Sequence, residues 1–210
     1  MDSAPHARIR RQLAQQMAQF MADHGLEPGA ARKRALDMLA EGQRLPQSAL
    51  PDANDIDEAL FEHLELFDPK HGTRVRRMRE VALAMMRRLM PTPVLATGAV
   101  WKGIATQDAP IHLQAFPEDE KQLHFQLLDL GLDPEALQLR HFRSAKPVDA
   151  LGVHWQGEAI MIAIYQSLDF RGALLPNASG SSQSAERGDL QALENKLKAQ
   201  IEALDSDTKC

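Results

Sequence analysis

The chain has 210 residues, an ordinary hydrophobic content of 44% and a formal net charge of −5. A chain of this length can bury a sizeable core, and its charge is not basic enough to indicate nucleic-acid binding by itself. The one cysteine is the last residue, Cys210, which excludes an intramolecular disulfide and predicts a reducing compartment. No apolar run approaches the roughly 18 residues of a membrane span. We therefore expect a cytoplasmic protein without a signal peptide or a membrane partner.

Residues 1–92 are predicted to form a helical region. Apolar side chains recur at helical spacing over residues 9–21, and a second, shorter helix is predicted over residues 30–40. Asn54 is the candidate N-cap of a third helix, because a short polar side chain can accept from the free N–H groups of a first turn. Thr73 is the corresponding candidate for a fourth helix.

The last two of these helices carry opposite charges. Residues 52–68 contain acidic residues and no Lys or Arg, whereas residues 70–88 contain basic residues and one acid, Glu80. Two interpretations stay open for the arginines of residues 74–88. They could bind the phosphates of RNA, since guanidinium groups match phosphate oxygens. We favour the simpler interpretation, in which opposite charges face each other across a helical hairpin.

From residue 93 onward the hydrophobic period changes from helical to alternating. Residues 94–100 form an apolar, β-prone run that Gly98 interrupts, and residues 111–116 alternate between apolar and polar. This pattern predicts two strands joined by a loop. A helix is then predicted to begin at Pro117, because proline and the acidic residues after it favour a helix start. Further strands are predicted over residues 137–142, 151–155 and 159–165.

These elements together predict an α+β protein in which a helical region precedes a small mixed sheet. A stretch rich in Ser, Gly and Asn separates the sheet from a last amphipathic segment, and it predicts a linker. The predicted organisation is a helical N-terminal region over 1–92, an α/β domain over 93–175, a linker over 176–189 and a C-terminal helix over 190–210.

The motif order from Gly98 to the helix at residues 118–121 resembles that of the DNA polymerase beta superfamily of nucleotidyltransferases. A glycine-bearing turn, Gly98-Ala99 with Gly103, follows the first predicted strand, and Asp-Ala-Pro-Ile-His-Leu at residues 108–113 begins the second. More closely, the chain resembles a group of proteobacterial nucleotidyltransferase-like proteins with a helical N-terminal region, over roughly residues 5–205. The resemblance implies a nucleotidyltransferase-like fold for the sheet domain.

Active members of that superfamily use three carboxylates to hold two Mg²⁺ ions around the reacting phosphate. The resemblance places the first two on Pro110 and His112 and the third within residues 159–164, at Met161. None of these residues is acidic, and neither proline, methionine nor a neutral imidazole suits so hard a cation. The serine that follows the turn glycine in the superfamily is Ala99 here. The resemblance thus implies a degenerate member, a pseudoenzyme without catalytic residues, metal or cofactor.

Binding is the function that the remaining residues could still perform. Backbone N–H groups of the turn could face an anion, and cations near the predicted strands could assist them. Each of these cations taken singly is more simply a solvated surface residue, so only their convergence would indicate a site. The candidate anion-binding residues are Gly98, Ala99, Lys102, Gly103, Arg140 and Arg171.

Two functions therefore stay open at the level of the sequence. The first is a non-catalytic nucleotidyltransferase-fold protein that binds a nucleotide or a protein partner. The second is a nucleotidyltransferase, or another phosphate-handling enzyme, with relocated carboxylates and bound Mg²⁺. Asp108, Glu158 and Asp169 are the acids available for the second function, and they would have to converge on one cleft. The identity of any partner is not indicated by the sequence.

Overall fold

The computed structural model describes residues 4–39, 45–140, 146–170 and 186–207. It confirms an α+β protein with helices in the N-terminal region, a mixed six-stranded sheet and a C-terminal helix. Among the described residues, no helix has the length and apolarity needed to cross a membrane. The chain divides into two compact units, the first comprising Met1–Arg74 with Gly103–Asp108 and the second Val75–Lys102 with Ala109–Cys210.

The first unit is built from helices. Its elements are α1 (Ala4–His24), α2 (Pro28–Leu39), a short 3-10 helix (Gln47–Ala49), α3 (Ala53–Phe67) and the first turn of α4 (His71–Arg88). The two helices predicted at the start of the chain are confirmed. Helix α1 packs against both α2 and α3. Its buried side chains form one hydrophobic cluster with two alanines of α2, and the cluster comprises Leu13, Met17, Phe20, Ala31 and Ala35.

Two helix starts differ from the prediction. Helix α3 is capped by Asp52 and not by Asn54, because Asp52 and Asp55 each accept from the backbone N–H of the other. This reciprocal pair satisfies two free donors at once, and it leaves Asn54 inside the first turn. Helix α4 begins at His71, so Thr73 lies within the helix and is not its cap.

The predicted pairing between the acids of 52–68 and the bases of 70–88 is observed at Arg74, whose guanidinium binds Asp68. That contact holds the pKa of the Asp68 carboxyl below its usual range. Other arginines of α4 bind outside the acidic segment, so the predicted facing of opposite charges is observed only in part. Arg76 pairs with Glu80 of its own helix, and Arg87 pairs with Glu194.

The segment Gly103–Asp108 is bound to the start of α4 by two side chains. His71 is buried, and its ring nitrogens lie 3.0 Å from Glu65 Oε1 and 2.9 Å from the carbonyl oxygen of Gly103. Arg74 donates through Nε and Nη2 to the carbonyl oxygen of Ala105, at 3.0 Å in each case. A segment without regular structure is thereby fixed through its backbone acceptors, which would otherwise be costly to bury.

We predict that replacing His71 by leucine destabilises the protein by roughly 1–3 kcal/mol, since the buried carbonyl of Gly103 and the carboxylate of Glu65 both lose this partner. Urea unfolding followed by far-ultraviolet circular dichroism measures the change. The matched control is Lys70→Leu, an exposed neighbouring residue, which should leave the midpoint close to wild type. An unchanged midpoint for His71→Leu would contradict the assigned role.

The second unit contains a six-stranded sheet with the order β3-β4-β5-β2-β1-β6. Strands β2 and β5 run parallel, and all the other neighbouring pairs are antiparallel. The strands are β1 (Val94–Thr97), β2 (Ile111–Ala115), β3 (Glu135–Arg140), β4 (Pro147–Trp155), β5 (Glu158–Ile164) and β6 (Arg187–Gly188). The helices besides α4 are α5 (Gly98–Lys102), α6 (Glu120–Asp129) and the C-terminal helix (Leu190–Asp207).

Two parts of this unit depart from the predicted elements. The strand predicted over residues 94–100 ends at Thr97, and the chain continues as the single-turn helix α5 because Gly98 adopts φ +68°. The end of the predicted linker, Arg187–Gly188, is strand β6 and pairs with β1. The earlier part of that linker, residues 176–185, lies outside the described residues.

The two faces of the sheet are covered to different extents. On one face Ile111, Leu113, Ile160 and Ile162 are all buried. On the other face, Leu95, Phe116, Ala163 and Tyr165 form a second cluster. The prediction that β5 is covered on both sides is confirmed toward the carboxyl end of the strand. At Met161 the strand is only half-buried.

Candidate functional site

The candidate site begins at the turn from β1 into α5. Arg79 of α4 holds that short helix in place through hydrogen bonds. Arg79 is 7% exposed. It donates to the carbonyl oxygens of Val100 at 3.1 Å and Trp101 at 3.3 Å, and to Gln200 Oε1 at 2.9 Å. The last carbonyls of a helix lack partners within it, and here a guanidinium supplies them. Burial lowers the pKa of Arg79.

Trp101 fixes α5 from a second direction. A Cβ at Gly188 would come within 2.2 Å of the Trp101 ring, so the indole packs directly on the backbone of β6. The ammonium group of Lys196 lies 4.6 Å from the centre of the same ring. Burial, and secondly the nearby Arg79, lowers the pKa of Lys196. Helix α5 is thus held by α4, β6 and the C-terminal helix.

The three positions to which the sequence resemblance assigns carboxylates lie together at one end of the sheet. His112 is opposite Thr97 in the antiparallel pair β1–β2 and opposite Met161 in the parallel pair β2–β5. Register partners project from the same face of a sheet. A Cβ added to Gly98 would lie 3.4 Å from the Cβ of His112, so the turn approaches the same side chain. Pro110 precedes His112 by two residues, just before β2 begins.

The side chains at these three positions do not fit the Mg²⁺ ions that the superfamily's reaction requires. Pro110 offers no side-chain donor atom, and Met161 offers only a soft thioether. His112 offers an imidazole, which is a poor ligand for so hard a cation. All three residues are half-buried. No step of a metal-dependent reaction can be assigned to them.

A buried cation, Arg187, lies on the same face as these positions. In the β1–β6 register it is opposite Thr97, which in turn is opposite His112. Its Nη1 donates to Gln114 Oε1 at 3.3 Å and its Nη2 to Glu186 Oε2 at 3.4 Å. Arg187 and Gln114 are each 6% exposed. A guanidinium in this position favours an anion over a cation as a neighbour.

Arg187 is not among the residues predicted for the site, because it lies in a stretch whose composition predicts a linker. A two-residue strand has no periodicity of its own, and pairing with β1 is a long-range feature. The available signal was the Arg-Gly pair immediately before the C-terminal helix, which is too short to be specific.

The predicted anion-binding residues do not all come together. Lys102 is exposed at the end of α5, and Gly103 follows it in the chain with φ +81°. Arg140 ends β3, which is separated from β1 by β4, β5 and β2. Four strand spacings place it roughly 19 Å from β1, and it lies at the opposite end of the sheet from Gly98. The expected convergence on Arg140 is therefore not observed, and Arg171 lies outside the described residues.

Two of the acids considered for a relocated metal site, Glu158 and Asp169, lie at opposite ends of strand β5. Glu158 begins β5 opposite Trp155, whereas Asp169 follows the carboxyl end of the same strand. Asp108 belongs to the first unit. Within the described part of the chain, three or more His, Cys, Asp or Glu side chains do not gather into a group that could hold a metal ion.

We predict that Gly98→Ala costs roughly 1–2 kcal/mol of stability, since an L-residue is strained at φ +68°. Urea unfolding followed by tryptophan fluorescence measures this cost. Gly131→Ala is the matched control, because Gly131 has φ +74° but nothing within 4 Å of an added Cβ. The added Cβ of Gly98→Ala would meet His112 at an ordinary van der Waals distance of 3.4 Å, so both variants should lose a similar amount of stability. A wild-type midpoint for Gly98→Ala would contradict the backbone geometry.

We predict that Arg79→Met lowers stability by about 1–3 kcal/mol, because the loss of three hydrogen bonds is partly offset by removal of a desolvated charge. Arg79→Lys should be the more destabilising change, since it keeps the buried charge without the planar fork. Tryptophan fluorescence during urea unfolding compares the variants. The reverse order of stability would show that charge, and not the three-fold hydrogen bonding, is what matters at this site.

Known proteins are similar to this chain only at low sequence identity and low TM-score. No protein-family profile and no curated protein matches the chain. Among solved structures, it is similar to a cytoplasmic RNA terminal U-transferase, with 15% identity and a TM-score of 0.34 over 48% of this chain and 34% of that one. It is also similar to the Cid1 poly(U) polymerase, with 19% identity and a TM-score of 0.33 over 47% of this chain and 33% of that one. Cid1 in complex with the UTP analogue UMPNPP gives 16% identity and a TM-score of 0.34 over 55% and 37%. The chain spans about a third of the length of these proteins.

Proposed function

We propose that the second unit is a nucleotidyltransferase-like domain that binds a nucleotide without performing metal-dependent transfer. The observation that carries the proposal is the register that sets His112 beside Met161, with the Gly98 turn against His112. This arrangement supports the proposal because it brings together two of the positions that the resemblance assigns to the site. The side chains in it are nevertheless of the wrong chemistry for two-metal catalysis.

The proposal is supported by the absence of an acidic residue from all three of the positions at once. A single non-acidic residue would leave part of a metal clamp, but Pro110, His112 and Met161 leave none of the three expected carboxylates. Two-metal phosphoryl chemistry depends on these groups to align the attacking and leaving oxygens. A module that binds without reacting needs only the cleft and an attraction for phosphate.

Arg187 supplies the attraction for phosphate in this proposal. A guanidinium can form two parallel hydrogen bonds to phosphate oxygens, and a weakly hydrated environment strengthens them. Gln114, which accepts from Arg187, would keep the guanidinium oriented toward the face that carries His112. The expected ligand is therefore a nucleotide bound through its phosphates without a divalent cation. The proposed location of the protein is the cytoplasm.

The proposal predicts that nucleoside triphosphates bind the full chain equally well with and without Mg²⁺ or Mn²⁺, and that no pyrophosphate is released. Isothermal titration with each of the four ribonucleoside triphosphates, together with a pyrophosphate assay, measures both properties. Arg187→Met should weaken binding at least tenfold through loss of a charged hydrogen bond. Arg140→Met, at the far edge of the sheet, is the matched control and should bind as wild type.

Three outcomes would change the proposal. Metal-dependent binding or pyrophosphate release would favour the alternative, an enzyme with relocated carboxylates. Equal weakening by Arg187→Met and Arg140→Met would indicate general attraction to surface charge. If none of the four nucleotides binds, a nucleotide is excluded as the ligand, and a protein partner becomes the candidate ligand of this unit.

A further inference from the structure

A groove of about 670 Å³ runs along the first unit between α1 and α3. Its volume lies within the range of roughly 300–1,000 Å³ that ligand-binding clefts occupy. One wall is the outer side of α1, which presents a row of glutamine side chains, and the other wall is α3. The α1 wall comprises Gln12, Gln15, Gln16 and Gln19. We refer to this feature as the glutamine groove.

One part of the glutamine groove is apolar and open to solvent. Leu66 and Phe67 at the end of α3 are 76% and 70% exposed, and Leu39 at the end of α2 is 44% exposed. The ring of His63 lies 4.8 Å from that of Phe67 and extends this surface along α3. Large apolar side chains grouped in this way and exposed to water indicate a surface that binds something.

The charges in the glutamine groove are of one sign. Its charged lining residues are Asp23 and Glu62, and Lys and Arg are absent from the residues that line it. His63 contacts Asp23, with 3.2 Å between Nε2 and Oδ1. Helix α3 contains no Lys or Arg. This one-sided charge attracts a cationic ligand and repels nucleic acids and free phosphates.

The glutamines determine what shape of ligand the groove accepts. Each amide both donates and accepts hydrogen bonds, and Gln16 and Gln19 already bind each other, with 2.9 Å between Nε2 and Oε1. Side-chain amides with both a donor and an acceptor can pair with the N–H and C=O groups of an extended peptide backbone. Extended backbone also places alternate side chains on opposite sides, so that one set can enter the apolar part while the other meets the acids.

We propose that the glutamine groove binds an extended, basic peptide segment of a partner protein that carries large apolar side chains at alternate positions. The acids Asp23 and Glu62 select the positive charge, and the exposed Leu66 and Phe67 select the apolar side chains. The interaction uses only residues of the first unit, and it is independent of the function proposed for the second.

The test uses the full chain, labelled with ¹⁵N, and a short synthetic peptide of alternating lysine and leucine. We expect the side-chain amide signals of Gln12, Gln15, Gln16 and Gln19 to shift in a saturable manner. The same peptide with glutamate in place of lysine should not shift them. Absence of shifts at these amides with the lysine peptide would overturn the proposal.

Two exposed residues of the groove provide variants, and a third residue provides the control. Glu62→Lys and Leu66→Ser should each weaken binding about tenfold, since one reverses a lining charge and the other removes an apolar contact. Glu58→Lys makes the same charge change on the same helix but outside the lining residues, and it should bind as wild type. Circular dichroism verifies that each variant is folded. Equal weakening by Glu58→Lys and Glu62→Lys would show general electrostatic attraction and would overturn the proposal.

Discussion

The position of the candidate site depends on one buried guanidinium. Arg79 is almost wholly removed from water, which is costly for a charged group unless each of its donors finds an acceptor. The acceptors are two backbone carbonyls at the end of α5 and the side chain of Gln200. Because these groups come from α5 and the C-terminal helix, the same contact that satisfies the charge also fixes α5. The Gly98 turn at the other end of α5 is positioned as a consequence.

Local patterns in the sequence predicted the elements that have periods of their own. Helical spacing gave α1 and α2, and alternation gave β2, because these signals arise from one face of each element being buried. Strand β6 and helix α5 lack enough residues for a period, so they could be found only from their long-range partners. The N-cap of α3 was predicted two residues late, since a reciprocal bond between Asp52 and Asp55 outweighs the capping tendency of Asn54.

The site was partly predictable for the same reason. The motif order implied that His112 and Met161 are neighbours, and the β2–β5 register places them opposite each other. Arg140 was expected near the Gly98 turn, but β3 forms the far edge of the sheet. The order of strands in a sheet is not a local property of the sequence, so this position could not be predicted. Arg187 comes to the site by the converse route, since it is distant in sequence from β2 and only two strands from it in the sheet.

The charge of Arg187 influences which ions the face of the sheet that carries His112 can hold. Arg187 lies two strands away from His112, at a distance of roughly 10 Å between the strands. At that distance two like unit charges repel each other by about 2 kcal/mol if the effective dielectric constant is about 20. A divalent cation beside His112 and Met161 would therefore be repelled by Arg187, and neither Pro110, His112 nor Met161 carries a negative charge that would offset this repulsion. Neutral side chains at Pro110, His112 and Met161 add no carboxylate that would compete with phosphate for Arg187, and Glu186 is the acid already paired with it. With neutral residues at these positions and a guanidinium in the same register row, this face suits an anion better than a divalent cation.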